Sequence, residues 1–341
     1  MFKMIIPCLI LITIFPHRVT AMTDLELGIK AYNKGDYTKA NSILEPLADN
    51  NKDAMALLGY MYEMGQGVPK DYNAAATLYL KAAKLGQAKA QFNVGNHYRD
   101  GRGGKQDYQA AIAWYKKAAH QGLSIASSEI GALYYTGTGV SQNYEEAFYW
   151  MQKAANGGLA KAQLDLCMMY IHGHGVNINR KEAFQWCLKS AMQGNALAMV
   201  QVGVMYLAGK DIEQSDEKAF TWLMNAANKG VAQAQYNIGN YYLEGIYLEQ
   251  DYEKAFSWFR KAALQGDPYA QYNLGLMYIE GLYAKQNLPE GYAWWAISSD
   301  ALDLAKTNSQ DLWGKLSIMN RLKAMWRIRK LKEQLAKSQL P

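Results

Sequence analysis

A pattern close to AxxQxxxGxxYxxGxG, followed by Asn, Asp or Ser and then AxxWxxKAAxxG, recurs seven times at a fixed spacing of 36 residues. A period of that size restricts the chain to an array of like units, each burying its apolar face on its neighbours. The register is tight. Gly59, Gly95, Gly131, Gly203, Gly239 and Gly275 share one slot, where Cys167 is the single substitute. Gly65, Gly101, Gly137, Gly173, Gly209, Gly245 and Gly281 hold a second slot without exception.

The pattern inside one period is helical. From Ala88 to Asp100 the residues Ala90, Phe92, Val94, Gly95 and Tyr98 recur at three-and-four spacing, which predicts a first helix, A. Gly101, Gly103 and Gly104 then interrupt it. A second stripe from Tyr108 to His120, with Ala111, Trp114, Tyr115, Ala118 and Ala119, predicts helix B, and Gly122 stands where a C-terminal cap belongs. Its start carries another seven-fold series, Asp71, Asp107, Asn143, Asn179, Ser215, Asp251 and Asn287, all able to accept from the free N–H groups of a first helical turn. Ala111, Ala147, Ala183, Ala219 and Ala255 are expected to meet the helix A glycines, and the tryptophans of helix B to supply large buried area.

The segments Gln91–Gly122 and Gln235–Gly266 resemble the Sel-one-like repeat family, a branch of the tetratricopeptide superfamily, and the likeness runs from residue 51 to 300. The resemblance implies an all-α fold: a right-handed superhelical solenoid of antiparallel helix hairpins with terminal capping helices. Residues 22–50, with GIKAYNKGDYTKA, resemble an ordinary tetratricopeptide unit and read as an opening cap, although Pro46 sits awkwardly for its second helix. In residues 301–341 the stripe Leu312, Leu316, Met319, Leu322, Met325 and Trp326 predicts one closing helix to about Leu335. The last three repeats replace a loop glycine with Asp211, Tyr247 and Tyr283, so their loops are expected to differ in shape.

Charge is informative by position. From Asp311 onward eight basic residues face two acidic ones, a surplus equal to the chain's net +6, which leaves the array near neutral. A near-neutral array speaks against the basic stripe that nucleic acid requires. The basic closing helix suits either weak contact with an anionic membrane or a solvated outer face. Residues 1–21 read as a secretory leader, with a short apolar run from Met4 to Phe15 and a VTA site for cleavage between Ala21 and Met22. The mature chain then belongs to the periplasm or the exterior.

In such a compartment Cys167, in the helix A glycine slot, and Cys187, in a helix B slot otherwise large, could form a disulfide if the slots face each other. Packing without a bond is the other reading. Ser215 and Lys218 satisfy SxxK, a matter of interest because some family members are linked to beta-lactams, yet Ser215 belongs to the capping series and no KTG accompanies it. His172 and His174 lack companion ligands at metal-binding spacing. No catalytic residue, metal or cofactor is therefore expected.

Family resemblance places a partner-binding groove on helix A, at Phe92, Asn96 and Arg99; Leu164, Met168 and Ile171; Val200, Val204 and Leu207; Tyr236, Asn240 and Leu243; Tyr272, Leu276 and Ile279. It also matches a peptide-backbone-binding asparagine at Asn93, Asn237 and Asn273, without the lysines that grip a terminal carboxylate. The function implied is a non-enzymatic scaffold for a protein or peptide, in envelope regulation or host-cell contact. An accessory regulator of a peptidoglycan enzyme and a cell-wall or beta-lactam hydrolase are the alternatives.

Overall fold

A computed structural model describes residues 22–338; residues 1–21, and with them the leader and the cleavage after Ala21, lie outside the described part. The elements are α1 (Asp24–Asn33), α2 (Tyr37–Leu44), α3 (Lys52–Met64), α4 (Tyr72–Lys84), α5 (Ala88–Asp100), α6 (Tyr108–His120), α7 (Ser124–Thr136), α8 (Tyr144–Asn156) and α9 (Ala160–His172). They continue with α10 (Arg180–Met192), α11 (Ala196–Ala208), α12 (Asp216–Asn228), α13 (Ala232–Glu244), α14 (Tyr252–Leu264), α15 (Pro268–Glu280), α16 (Leu288–Ser298), α17 (Asp303–Lys315) and α18 (Ile318–Ser338). No strand occurs among the described residues. The chain forms two units, one ending at Ala118 and the other beginning at Ala119. In the first unit consecutive helices pack from α1 to α5, and in the second from α7 to α17, with α18 on α16, as a solenoid of hairpins requires.

Local chemistry sets each hairpin. All seven residues of the capping series accept a backbone N–H of the following turn, Ser215 included, whose Oγ takes the Lys218 amide at 3.3 Å. Each helix A of the seven repeats ends on its invariant glycine in the left-handed region, at φ from 60° to 74°, which frees the chain to turn sharply. Between helices A and B the backbones touch where the small residues sit. A Cβ on Gly95 would stand 2.5 Å from the Tyr115 ring, and one on Gly239 2.5 Å from Phe259. The glycine thus makes room for a large side chain twenty positions later.

Several expectations need revision. Asp211, Tyr247 and Tyr283 keep the left-handed turn, at φ 66°, 64° and 66°, that Gly67, Gly103, Gly139 and Gly175 adopt at 70° to 73°, so the loops do not diverge as expected. Gly67, Gly103 and Gly175 are pressed against the first residue of the second helix of the preceding hairpin: a Cβ on Gly67 would sit 2.6 Å from the Tyr37 carbonyl. In the later loops the side chain lies over that same preceding helix instead. Tyr247 meets Phe220, Tyr283 meets Phe256 and bonds Glu253, and Asp211 faces Arg180 at 3.7 Å.

At the N-terminus the tetratricopeptide-like hairpin forms, and the chain accommodates Pro46 by ending α2 at Leu44 and turning through a 3-10 segment, Glu45–Leu47. At the other end two helices stand where the stripe predicts one, because Leu316 is extended and Ser317 starts α18 by accepting the Asn320 amide. Ala324 and Leu331 of α18 are buried, and α18 packs on α16. Met319, Leu322, Met325 and Trp326 are exposed, so most of the expected core stripe faces outward.

Candidate functional site

The helix A positions assigned to a groove separate into three groups. In the first unit Arg99 pairs with Asp100 at 2.7 Å, Asn96 accepts the Tyr115 hydroxyl at 2.7 Å, and the Phe92 ring rests on Tyr115. Toward the end of the second unit, Asn240 accepts from Asn273, Tyr236 packs between Phe259 and Tyr269, and Tyr272 stacks on Trp295 with its hydroxyl held by Asn308 of α17. Asn273, matched to a peptide-binding asparagine, therefore already bonds within the fold. Leu243, Leu276 and Ile279 are half-buried.

The middle group, on α9 and α11, is different. Leu164, Ile171, Val204 and Leu207 lean on one shared core cluster while keeping part of their surface in solvent, and Met168 is half-buried beside them. Val200 is a correction: it is 1% exposed and belongs to that core, because a short side chain at this slot ends inside the packing shell. Asp165, next to Leu164, has its carboxyl raised chiefly by burial, with Lys161 opposing. Burial, then Tyr144 and Asp165, raises the Tyr135 hydroxyl. Asp165 follows Leu164 in α9 and is half-buried.

Other candidates resolve into structure. His174 stacks on Tyr144 at 4.6 Å and hydrogen-bonds the Tyr135 hydroxyl, which gives this loop histidine a packing role. Among the described residues no three metal-type ligands gather. Lys218 lies over the Tyr206 ring at 5.5 Å, and its amide, not its amine, is what meets Ser215.

Cys167 and Cys187 do face each other, and their sulfurs are joined, with α-carbons 5.4 Å apart. The bond replaces the glycine-on-large-residue contact seen in the other six repeats, including Gly203 on Leu223. Both cysteines are fully buried.

Two polar series were not read from the sequence. Gln91, Gln163, Gln235 and Gln271 are buried, and each donates to the carbonyl eight residues earlier, near the end of the preceding helix B, at 3.1 to 3.3 Å. Gln106, Gln142, Gln250 and Gln286 donate to a carbonyl in the last turn of helix A at 2.7 to 2.8 Å. Their fixed place in the period was the available signal. In the first unit Glu63 accepts from Tyr79 at 2.9 Å and from Arg102 at 2.7 Å, with His97 Nε2 3.8 Å away. His97, then Tyr79 and Arg102, hold its carboxyl down at about 2.

The Sel1 repeat matches the chain at residues 52–87, 88–123, 124–159, 160–195, 196–231, 232–267 and 268–301. The chain belongs to the Sel1 repeat family. A solved Sel1 repeat protein from Oxalobacter formigenes is 36% identical, with 70% of this chain and 98% of that one aligned at a TM-score of 0.62. A protective antigen present in uropathogenic Escherichia coli strains, displaying the same repeat fold, is 25% identical over 92% of this chain and 84% of its own, at a TM-score of 0.56. Comparison with curated proteins found no match. The Sel1 hairpins observed here, α3 to α16, coincide with the matched repeats to within a few residues at each boundary.

Proposed function

We propose that this Sel1 protein is an exported, non-enzymatic scaffold that holds a protein or peptide against the helix A face of its central repeats. The observation that carries the reading is the half-exposed apolar patch of Leu164, Met168, Ile171, Val204 and Leu207, whereas Asn96, Arg99, Asn240 and Tyr272 at the other assigned positions already bond within the fold. Apolar surface left partly in water at the centre of an interaction fold favours a partner that covers it. Export is supported by the leader-like residues 1–21 and by the joined cysteines, which persist in an oxidising compartment. The likeness to a protective antigen of uropathogenic bacteria favours a role at the cell envelope or in contact with a host. Ser215, engaged as a helix cap, supports the non-catalytic reading over the hydrolase.

The test is crosslinking in the native compartment followed by capture with the wild type, Met168→Glu and Val204→Glu. An unpaired charge in a desolvated contact costs on the order of several kcal/mol, so both variants should lose capture at least about tenfold while melting like the wild type. Full capture by both variants moves the site elsewhere. Mass measurement of protein from the envelope fraction should show a chain that begins at Met22, and a full-length cytosolic product overturns export.

A further inference from the structure

Helix α18 carries two apolar faces on opposite sides. Ala324 and Leu331 are buried and Ile328 partly so, on the side that packs against the array, where Arg327 Nε meets Glu290 at 2.6 Å. At 100° per residue, Ile318, Met319, Leu322, Met325 and Trp326 gather on the other side, and they are 57% to 78% exposed. A helix serving only to close an array needs a polar outer face. This one presents five large apolar side chains in succession.

The surroundings specify the cover. Lys323 and Lys330 border one edge of the outward stripe, Lys332 borders the other, and Arg329 continues it toward the C-terminus, all of them exposed. From Asp311 onward the surplus of basic residues amounts to the whole net charge of the chain. A second copy of the same face would bring two cationic helices together, which like-charge repulsion opposes. Arg329 and Lys330 share Glu333, at 3.3 and 3.0 Å, and the surplus of basic over acidic groups on the helix still favours an anionic cover over an apolar or cationic one. We infer that α18 lies flat on an anionic lipid surface, with Met325, Trp326 and Leu322 entering the acyl boundary and Lys323, Lys330 and Lys332 reaching the headgroups. Lysine suits that place because its long apolar stem can lie along the boundary while its ammonium stays in the polar layer. Tryptophan favours the same depth. Among the described residues no helix is long and apolar enough to cross a membrane, so the contact is interfacial. The inference stands independently of what the central patch binds.

Co-sedimentation of the mature chain with vesicles tests it, using phosphatidylglycerol mixed into phosphatidylethanolamine in one arm and phosphatidylcholine alone in the other. Binding is expected to the anionic vesicles, with at least about a tenfold preference over the neutral ones, and to weaken as salt is raised because screening shortens the reach of each charge. Trp326→Glu should reduce the bound fraction about tenfold and Lys330→Glu several-fold. Leu197→Glu, a charge at an exposed leucine on α11, should leave it unchanged. Melting curves confirm that each variant is folded, and Trp326→Ala serves if Trp326→Glu is not. No binding to anionic vesicles overturns the inference, as does equal binding to both kinds. Two further outcomes also overturn it: dimerisation lost in Trp326→Glu without vesicle binding, and capture of an acidic protein lost in that variant without vesicle binding.

Discussion

At the scale of single residues, the repeat is held in register by places where one atom more or less matters. Gly275 shows the limit. A Cβ there would lie 2.6 Å from Trp295 and 2.9 Å from the Gly291 carbonyl, and Trp295 is itself tied by its indole N–H to the Tyr272 carbonyl. Gly275→Ala gains about 1 kcal/mol in helix propensity but overpacks a rigid contact at a cost of about 1–3 kcal/mol. The melting midpoint should fall. Gly314→Ala, in α17 with nothing within 4 Å of the added carbon, should raise it slightly; a fall for Gly314 or a rise for Gly275 contradicts the packing account.

Glu63 sets a second residue-scale expectation, this time in pH. It is 13% exposed, and its folded carboxyl is held down at about 2 against an ordinary 4.5. A lowered folded pKa adds stability that is complete above the unfolded value and disappears as pH falls toward the folded one. Wild-type stability should therefore drop between pH 4.5 and about 2, and Glu63→Gln should drop less steeply in that window. Parallel curves for the two proteins would show that the network around Glu63 contributes no linkage.

At the scale of elements, the fourth repeat tests whether the helix A to helix B contact is a matter of shared volume. Its cysteines stand where other repeats pair glycine with a large side chain, and both are fully buried. Under reducing conditions, Cys167→Gly alone should leave a cavity and cost about 2–4 kcal/mol. Cys187→Leu alone should overpack and cost about 1–3 kcal/mol. The double variant restores the contact of Gly203 with Leu223 and should be more stable than either single change. Denaturant titration of all four reduced proteins measures this, and additive losses would refute the idea that the slots exchange volume. Without reductant the wild type should regain its lead, since a bond closing a loop of about this length, 20 residues apart, contributes on the order of 3 kcal/mol.

The same element-scale logic explains the tryptophans of helix B. Lys117, Lys189 and Lys261 place their ammonium groups 3.8 to 3.9 Å from the ring centres of Trp114, Trp186 and Trp258, one helical turn back. The WxxK spacing in the repeat is therefore a cation over a ring face, which lets Trp114 and Trp258 stay partly at the surface, while Trp186 is buried in the core. Trp150 and Trp294 are buried to 4% and 2% exposure, and each bonds a glutamate four residues earlier through its indole N–H.

At the scale of the whole molecule, stability is the sum of hairpins and of the contacts between neighbours, so a local wound spreads along the array only as far as that coupling carries. Val200→Glu places a charge in the shared core of the central repeats and should remove amide protection from α11 and the helices packed on it, α10 and α12, before others. Met168→Glu, half-buried, should leave protection intact. Hydrogen exchange read helix by helix separates the two, and equal loss for both would place Met168 in the core.

What the sequence alone determined is local and periodic. The 36-residue spacing, the capping series and the two glycine slots each act within one hairpin or between adjacent ones, so their physics is complete in a short stretch of chain, and helices, turns and family follow from it. The tertiary structure decided what depends on depth. Val200 and Val204 share a helix face in the sequence, yet only the first ends inside the packing shell. Tyr247 and Tyr283 look unlike glycine, yet the turn keeps its left-handed backbone because the side chains have a preceding helix to lie on. In α18 the periodic pattern revealed apolar residues without saying which side would be covered. That depended on Ala324 and Leu331, whose smaller stripe packs on the array and turns Met325 and Trp326 outward.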